Sequence, residues 1–77
     1  MDIKILGTGC ANCQRLEAVT HDAVAQLGLD ATFVKVTDPA EIASWGVMRT
    51  PALVVDDEVV LSGRVPTVDD VKRLLLL

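Results

Sequence analysis

The stretch DIKILGTGCANCQRL, Asp2 to Leu16, holds a strand-like segment, a glycine break and both cysteines of a 77-residue chain. Ile3 and Ile5 fall on one face of an extended segment and Lys4 on the other, which predicts a strand over 2–6. The sequence GTG ends this strand. From about Cys10 onward, apolar residues recur at spacings of three and four, which predicts an amphipathic helix that begins at the cysteines.

The segment after this helix predicts a second strand beside the first. Gly28 stands where a left-handed residue ends a helix, and the residues ATFVKV, 31–36, have the composition of a strand. Two strands joined through one helix by short connections predict a right-handed parallel crossover. The first helix then starts at the carboxyl end of the first strand, where α/β sheets usually hold their reactive groups.

Capping and turn residues mark the ends of the predicted elements in the rest of the chain. Asp38 and Pro39 begin a short helix that ends at Gly46, with Glu41 three residues after the cap. The segments PALVV and EVVLSG flank Asp56 and Asp57, which predicts an antiparallel hairpin. Thr67 caps a last helix, VDDVKRLLLL, with Asp70 at its third position. The predicted order is β-α-β-α-β-β-α, an α/β fold in a single domain over 1–77.

Composition and charge narrow the kind of partner. Apolar residues make up 51% of the chain, with one Phe, one Trp and no Tyr, so Val, Leu, Ile and Ala must build the core. The net charge is −4 and the seven basic residues are scattered, which argues against nucleic-acid or acidic-membrane partners. The longest apolar run is LLLL, too short for a membrane span, and MDIKILG lacks the core of a signal peptide. We therefore expect a cytoplasmic protein whose partners are proteins or small molecules.

The spacing of Cys10 and Cys13 predicts reactive or metal-binding thiols rather than inert ones. Residues three apart on a helix lie about 5 to 6 Å apart at Cβ, close to what a disulfide requires. The amide groups and dipole at a helix start favour the thiolate, so we expect Cys10 to be the nucleophile and Cys13 the resolving cysteine. Tetrahedral zinc needs four ligands, and the chain adds only His21 to the pair. Two thiolates suffice for Cu(I), so a soft-metal carrier is the alternative function.

Two segments, GTGCANCQRLE and MRTPALVVDDEVVLSGRV, together with the predicted order of elements, resemble the thioredoxin and glutaredoxin superfamily. The likeness is greatest to the small archaeal and bacterial thioredoxin-like proteins called redox-active disulfide proteins. It implies a minimal thioredoxin-like fold in which helices flank a four-stranded mixed sheet. It also implies a cis bond between Thr50 and Pro51, facing the cysteines and binding an extended substrate segment.

The same resemblance implies a function. We expect a thiol-disulfide oxidoreductase that needs no cofactor beyond its own Cys10–Cys13 disulfide and acts on protein or small-thiol disulfides. An external reductase or thiol pool would regenerate the dithiol, and we expect the chain to act as a monomer. Asn12 and Arg49 are candidate modulators of the thiolate. The chain departs from thioredoxins in having Gly9 before the first cysteine and Ala11 and Asn12 between the two.

Overall fold

A computed structural model describes residues 1–9 and 11–76 of the protein. The strands and helices follow the predicted order, β-α-β-α-β-β-α. The strands are β1 (Asp2–Leu6), β2 (Thr32–Val36), β3 (Ala52–Val55) and β4 (Glu58–Ser62). The helices are α1 (Ala11–Leu27), α2 (Pro39–Ser44) and α3 (Val68–Leu75). None of the helices in residues 1–9 and 11–76 is long and apolar enough to cross a membrane.

The four strands form one mixed sheet in the order β2-β1-β3-β4. β1 runs parallel to β2 and antiparallel to β3, and β3 and β4 form an antiparallel hairpin. At the carboxyl end of β1, Leu6 lies between Val36 of β2 and Ala52 of β3. The α/β class, the parallel pairing of the first two strands and the hairpin are therefore confirmed.

The period-two alternation of β1 divides the core between the two faces of the sheet. Ile3 and Ile5 face α1 and α3, whereas Leu6 faces α2. The cluster on the α1 and α3 face is Ile3, Ile5, Leu16, Ala23, Val24, Leu53, Leu61, Val71 and Leu75. The cluster on the α2 face is Leu6, Val36, Ile42, Ala52 and Val54. Helices thus cover both faces, with the longer two on the same side.

The buried face of α1 includes one residue that the apolar pattern does not select. Leu16 and Ala23 are buried as predicted, and Thr20 between them is also fully buried. The Thr20 hydroxyl donates a hydrogen bond of 2.7 Å to the carbonyl of Leu16, so no donor is left unsatisfied by its burial. The helix ends at Gly28, whose φ of +66° is the left-handed conformation expected there.

The hairpin turn and the start of α2 are formed by the residues that the sequence predicts there. Asp56 and Asp57 both have positive φ, 49° and 66°, which suits the two-residue turn of a twisted hairpin. The Asp56 carboxylate also accepts a 2.8 Å hydrogen bond from the amide of Asp2, so the turn is held against the start of β1. At α2 the Asp38 side chain accepts a 2.9 Å hydrogen bond from the amide of Ala40, one residue earlier than the Glu41 position of a capping box.

A reciprocal capping box begins α3. The Asp70 amide donates to the Thr67 hydroxyl at 3.2 Å, and the Thr67 amide donates to the Asp70 carboxylate at 3.3 Å. Arg73 donates a hydrogen bond to the same carboxylate. The bond from Arg73, followed by those from Thr67, lowers the pKa of Asp70 below its ordinary value. This start orients Val71 and Leu75, one turn apart, into the core.

Replacing the Thr67 hydroxyl tests how far this cap stabilises the fold. We expect Thr67→Ala to lower the free energy of unfolding by about 1 kcal/mol, because the Asp70 amide loses its acceptor. Thr67→Ser keeps the acceptor and should remain within about 0.5 kcal/mol of the parent. Urea denaturation of the three proteins measures the difference. An equal loss in the Ser and Ala variants would show that the hydroxyl does not cap α3.

Candidate functional site

The candidate site lies where α1 begins, at the carboxyl end of β1. Cys13 is in the first turn of α1 and its side chain is buried, with 5% of its surface exposed. Cys10 immediately precedes the first residue of α1 and lies outside the described residues, so the nucleophilic role predicted for it stays a prediction. The first turn of α1 carries no acidic side chain. The positive end of its dipole is therefore not neutralised from within that turn, which favours an anion beside it.

Gly7 makes room for the Cys13 side chain. A Cβ atom built on Gly7 would overlap the Cys13 Sγ and would lie 3.2 Å from the Cys13 Cβ. The Gly7 amide also donates a 2.9 Å hydrogen bond to the carbonyl of Val36, which ties this point to the end of β2. The sequence marks Gly7 only as the end of a strand. Its close contact with Cys13 is a tertiary feature that local pattern does not predict.

The hairpin brings a cis peptide bond to the same end of the sheet. The bond between Thr50 and Pro51 is cis, as the resemblance implied. Pro51 is fully buried, and its carbonyl accepts a 2.9 Å hydrogen bond from the amide of Gly63. Because Leu6 pairs with Ala52, Pro51, which precedes β3, lies at the same end of the sheet as Gly7, which follows β1. Thr50 is exposed at this end of the sheet, and the substrate-binding role predicted for Thr50 and Pro51 stays a prediction.

A recess of about 90 Å³ adjoins Cys13 between α1 and the neighbouring strands. Ile5 and Gly7 line it from β1 and its end, Cys13 and Glu17 from α1, and Lys35 from β2. A Glu17 carboxylate oxygen lies 3.0 Å from the Lys35 ammonium. Glu17 and Lys35 were not selected from the sequence. Strand register could have identified Lys35. Ile5 pairs with Lys35, so the side chains of Ile5 and Lys35 both face α1, where Glu17 lies.

Comparison with known proteins identifies the family of the chain. Residues 1–76 match the family model described as a thioredoxin domain. The chain belongs to the thioredoxin domain family. It is 44% identical over 75 residues to a thioredoxin of Methanothermobacter thermautotrophicus, with 97% of each chain covered. It is 45% identical over 73 residues to a thioredoxin of Methanocaldococcus jannaschii, with 95% of this chain and 84% of the relative covered.

These relatives support a thiol-disulfide oxidoreductase kind of function for this thioredoxin-domain chain. They also confirm the superfamily resemblance and, with the mixed sheet and its flanking helices, the minimal thioredoxin-like fold. Within the described residues, no group of three or more His, Cys, Asp or Glu side chains is placed to hold a metal ion.

The remaining residues that the sequence suggested for the site, Asn12, Arg49 and His21, lie in different surroundings from one another. Asn12 is exposed in the first turn of α1. Arg49 is exposed, and its side chain lies along Gly63, where a built Cβ would be 3.2 Å from the Arg49 Cβ. The modulating roles of Asn12 and Arg49 stay predictions. His21 stacks on the Phe33 ring at a centroid distance of 3.8 Å, so it packs against β2 at the surface.

Lys4 belongs to the opposite face of the sheet from the recess. Its ammonium lies 3.2 Å from the Asp57 carboxylate and 5.3 Å from the centre of the Trp45 ring. The cation over the ring and the ion pair connect β1, the end of α2 and the hairpin turn. Trp45 therefore packs at the edge of the α2-face cluster.

The contact between Gly7 and Cys13 predicts the effect of a single methyl group. We expect Gly7→Ala to lower the free energy of unfolding by about 1–3 kcal/mol, because the methyl group overlaps the sulfur. In a Cys10→Ser background it should also speed the alkylation of Cys13 severalfold by displacing the side chain from its buried position. Iodoacetamide labelling followed by mass spectrometry measures that rate.

Gly28→Ala is the matched control for this change. It introduces the same methyl group at a positive φ, with open space around it, and should destabilise through the backbone alone. Alkylation of Cys13 that rises equally in both variants would mean that labelling follows general unfolding. That outcome would remove the specific role given to Gly7.

Proposed function

We propose that the protein is a thiol-disulfide oxidoreductase that cycles Cys10 and Cys13 between a dithiol and a disulfide. The observation that carries the proposal is the burial of Cys13 against Gly7 in the first turn of a thioredoxin-domain helix, three residues after Cys10. Two thiols at that spacing are within reach of a disulfide after small side-chain adjustments.

The reaction proceeds in two thiol-disulfide exchanges. The Cys10 thiolate attacks one sulfur of a substrate disulfide, a bond forms between Cys10 and the substrate, and the other substrate sulfur leaves as a thiolate. Cys13 then attacks the Cys10 sulfur, the Cys10–Cys13 disulfide forms, and the second substrate sulfur leaves. Two electrons pass from the dithiol to the substrate. An external reductase or thiol pool returns them to the protein.

The two cysteines take different roles because their positions in the helix differ. The first amide groups of a helix have no intrahelical acceptor, and together with the helix dipole they stabilise an anion at the position that Cys10 occupies in the sequence. Cys13, one turn inward, is buried and packs against Gly7 beside the recess. A buried sulfur attacks the adjacent Cys10 sulfur of the mixed disulfide more readily than a bulky substrate disulfide in solution.

The exposed Thr50 and buried Pro51 supply a surface for the substrate. An extended peptide that carries the target disulfide would run beside Thr50 and hydrogen-bond to its backbone, which is the β-addition mode of recognition. The preferred substrates are therefore proteins or peptides whose disulfide lies in an extended, accessible segment. Small-thiol disulfides would react without these backbone contacts.

Trapping the first intermediate tests the proposal. Cys13→Ser removes the resolving thiol, so we expect a peptide disulfide added to this variant to remain attached through Cys10. Mass spectrometry of the intact protein without reductant should show one adduct per chain. Cys10→Ser is the matched control and should accumulate little adduct, because Cys13 is buried.

Two outcomes would contradict the oxidoreductase function. One is the absence of any adduct on Cys13→Ser under conditions in which the peptide disulfide is intact. The other is tight one-to-one binding of Cu(I) by the reduced wild-type protein without disulfide exchange, which would favour the soft-metal carrier.

A further inference from the structure

The resolving step requires Cys13 to lose a proton inside the protein. The thiolate is the attacking form, and burial disfavours a charged sulfur because it separates it from water. Only 5% of the Cys13 side chain is exposed, so bulk solvent has little access to the thiol. A base within the fold would therefore speed the attack on Cys10.

Glu17 occupies the position that such a base requires. It follows Cys13 by four residues, so the two side chains lie one turn apart on the same side of α1. Both line the recess of about 90 Å³. The Glu17 side chain is 26% exposed, so its carboxylate is partly withdrawn from solvent at the mouth of this recess.

The groups that face Glu17 hold its carboxylate in place. Lys35 of β2 lies 3.0 Å from one oxygen, and His21 of α1 lies 3.8 Å from the other. Around the recess, β1 contributes Ile5, which is apolar, and the loop after β2 contributes Thr37. The ion pair to Lys35 fixes one oxygen towards β2 and keeps the carboxylate next to the recess.

The size of the recess allows proton transfer through water. A water molecule takes up about 30 Å³ in the liquid and needs two or more polar partners in a protein. Glu17, Lys35 and Thr37 provide such partners around a volume of about 90 Å³. A general base acts effectively through one intervening water.

We infer that Glu17 accepts the Cys13 proton during the resolving step and that Lys35 positions it. This inference rests on the proposed oxidoreductase function. The proton passes from the Cys13 Sγ through water to the Glu17 carboxylate, and the resulting thiolate attacks the Cys10 sulfur. The bond between Cys10 and the substrate breaks, the substrate sulfur leaves as a thiolate, and Glu17 releases its proton to that thiolate or to solvent.

Stopped-flow reaction with an equimolar aromatic disulfide separates the two exchanges. Each exchange releases one coloured thiolate, the first from attack by Cys10 and the second from attack by Cys13. For Glu17→Gln we expect the first release to stay within about twofold of wild type. We expect the second release to slow by about 10- to 100-fold at neutral pH, in line with the loss of a general base. Its rate should rise more steeply with pH than in wild type, because hydroxide replaces the carboxylate.

Two variants serve as controls for charge and for position. Asp22→Asn removes an equal charge from an exposed site on α1 and should change neither release. Lys35→Gln leaves the base but removes its positioning partner, so the second release should slow by less than in Glu17→Gln. If Glu17→Gln folds poorly, Glu17→Ala with added acetate gives a second measurement. Acetate that restores the second release of that variant supports proton transfer by Glu17.

The outcomes separate this inference from the proposed function. A second release in Glu17→Gln that matches wild type, or equal slowing of both releases, would overturn the role of Glu17 and leave the dithiol mechanism intact. A wild-type protein that shows a single release would overturn the dithiol mechanism, and the inference with it.

Discussion

The close approach of α1 to the end of β1, with the Cys13 sulfur against Gly7, is the contact on which the site depends. At this point a strand that is buried on both faces ends and the chain turns back over the sheet as a helix. A side chain at Gly7 would separate the two elements. Because Leu6, one residue earlier, pairs with Ala52, the same point also fixes where Pro51 meets the site. Gly7 therefore contacts Cys13 and lies beside the segment in which Pro51 begins the β3–β4 hairpin.

The alternation of side chains along the sheet sorts the charges around this contact. Lys35 is paired with Ile5 and faces α1, where it meets Glu17, while Lys4 points to the other face and pairs with Asp57. On the α1 face, the four-residue step from Glu17 to His21 matches the two-residue step from Lys35 back to Phe33. Four helical residues rise about 6 Å and two strand residues about 6.6 Å, so the two elements stay in step over this distance. The ion pair between Glu17 and Lys35 lies directly beside the recess at Cys13.

Local signals in the sequence predicted most of the fold. β1 has the predicted bounds. The end of α1 at Gly28 and the hairpin turn at Asp56 and Asp57 require positive φ, which few residue types adopt, so both could be predicted. The box at Thr67 is likewise encoded within four residues. The features that the sequence did not predict are contacts between distant segments. The fit of Gly7 to Cys13 and the pairing of Glu17 with Lys35 depend on how α1 lies across the sheet, which residue types alone do not specify. Thr20 was missed because its burial depends on a hydrogen bond to its own helix rather than on hydrophobicity.

Equilibration of the protein with glutathione buffers of graded redox potential determines whether Cys10 and Cys13 form a reversible disulfide. The thiols are counted by alkylation and mass spectrometry at each potential. We expect both cysteines to lose their thiols together in one two-electron transition, to give an intramolecular disulfide without attached glutathione. For such a couple, a tenfold change in the ratio of disulfide to dithiol takes about 30 mV. Thiols that stay reduced across the whole range, or that end as separate glutathione adducts, would contradict that expectation.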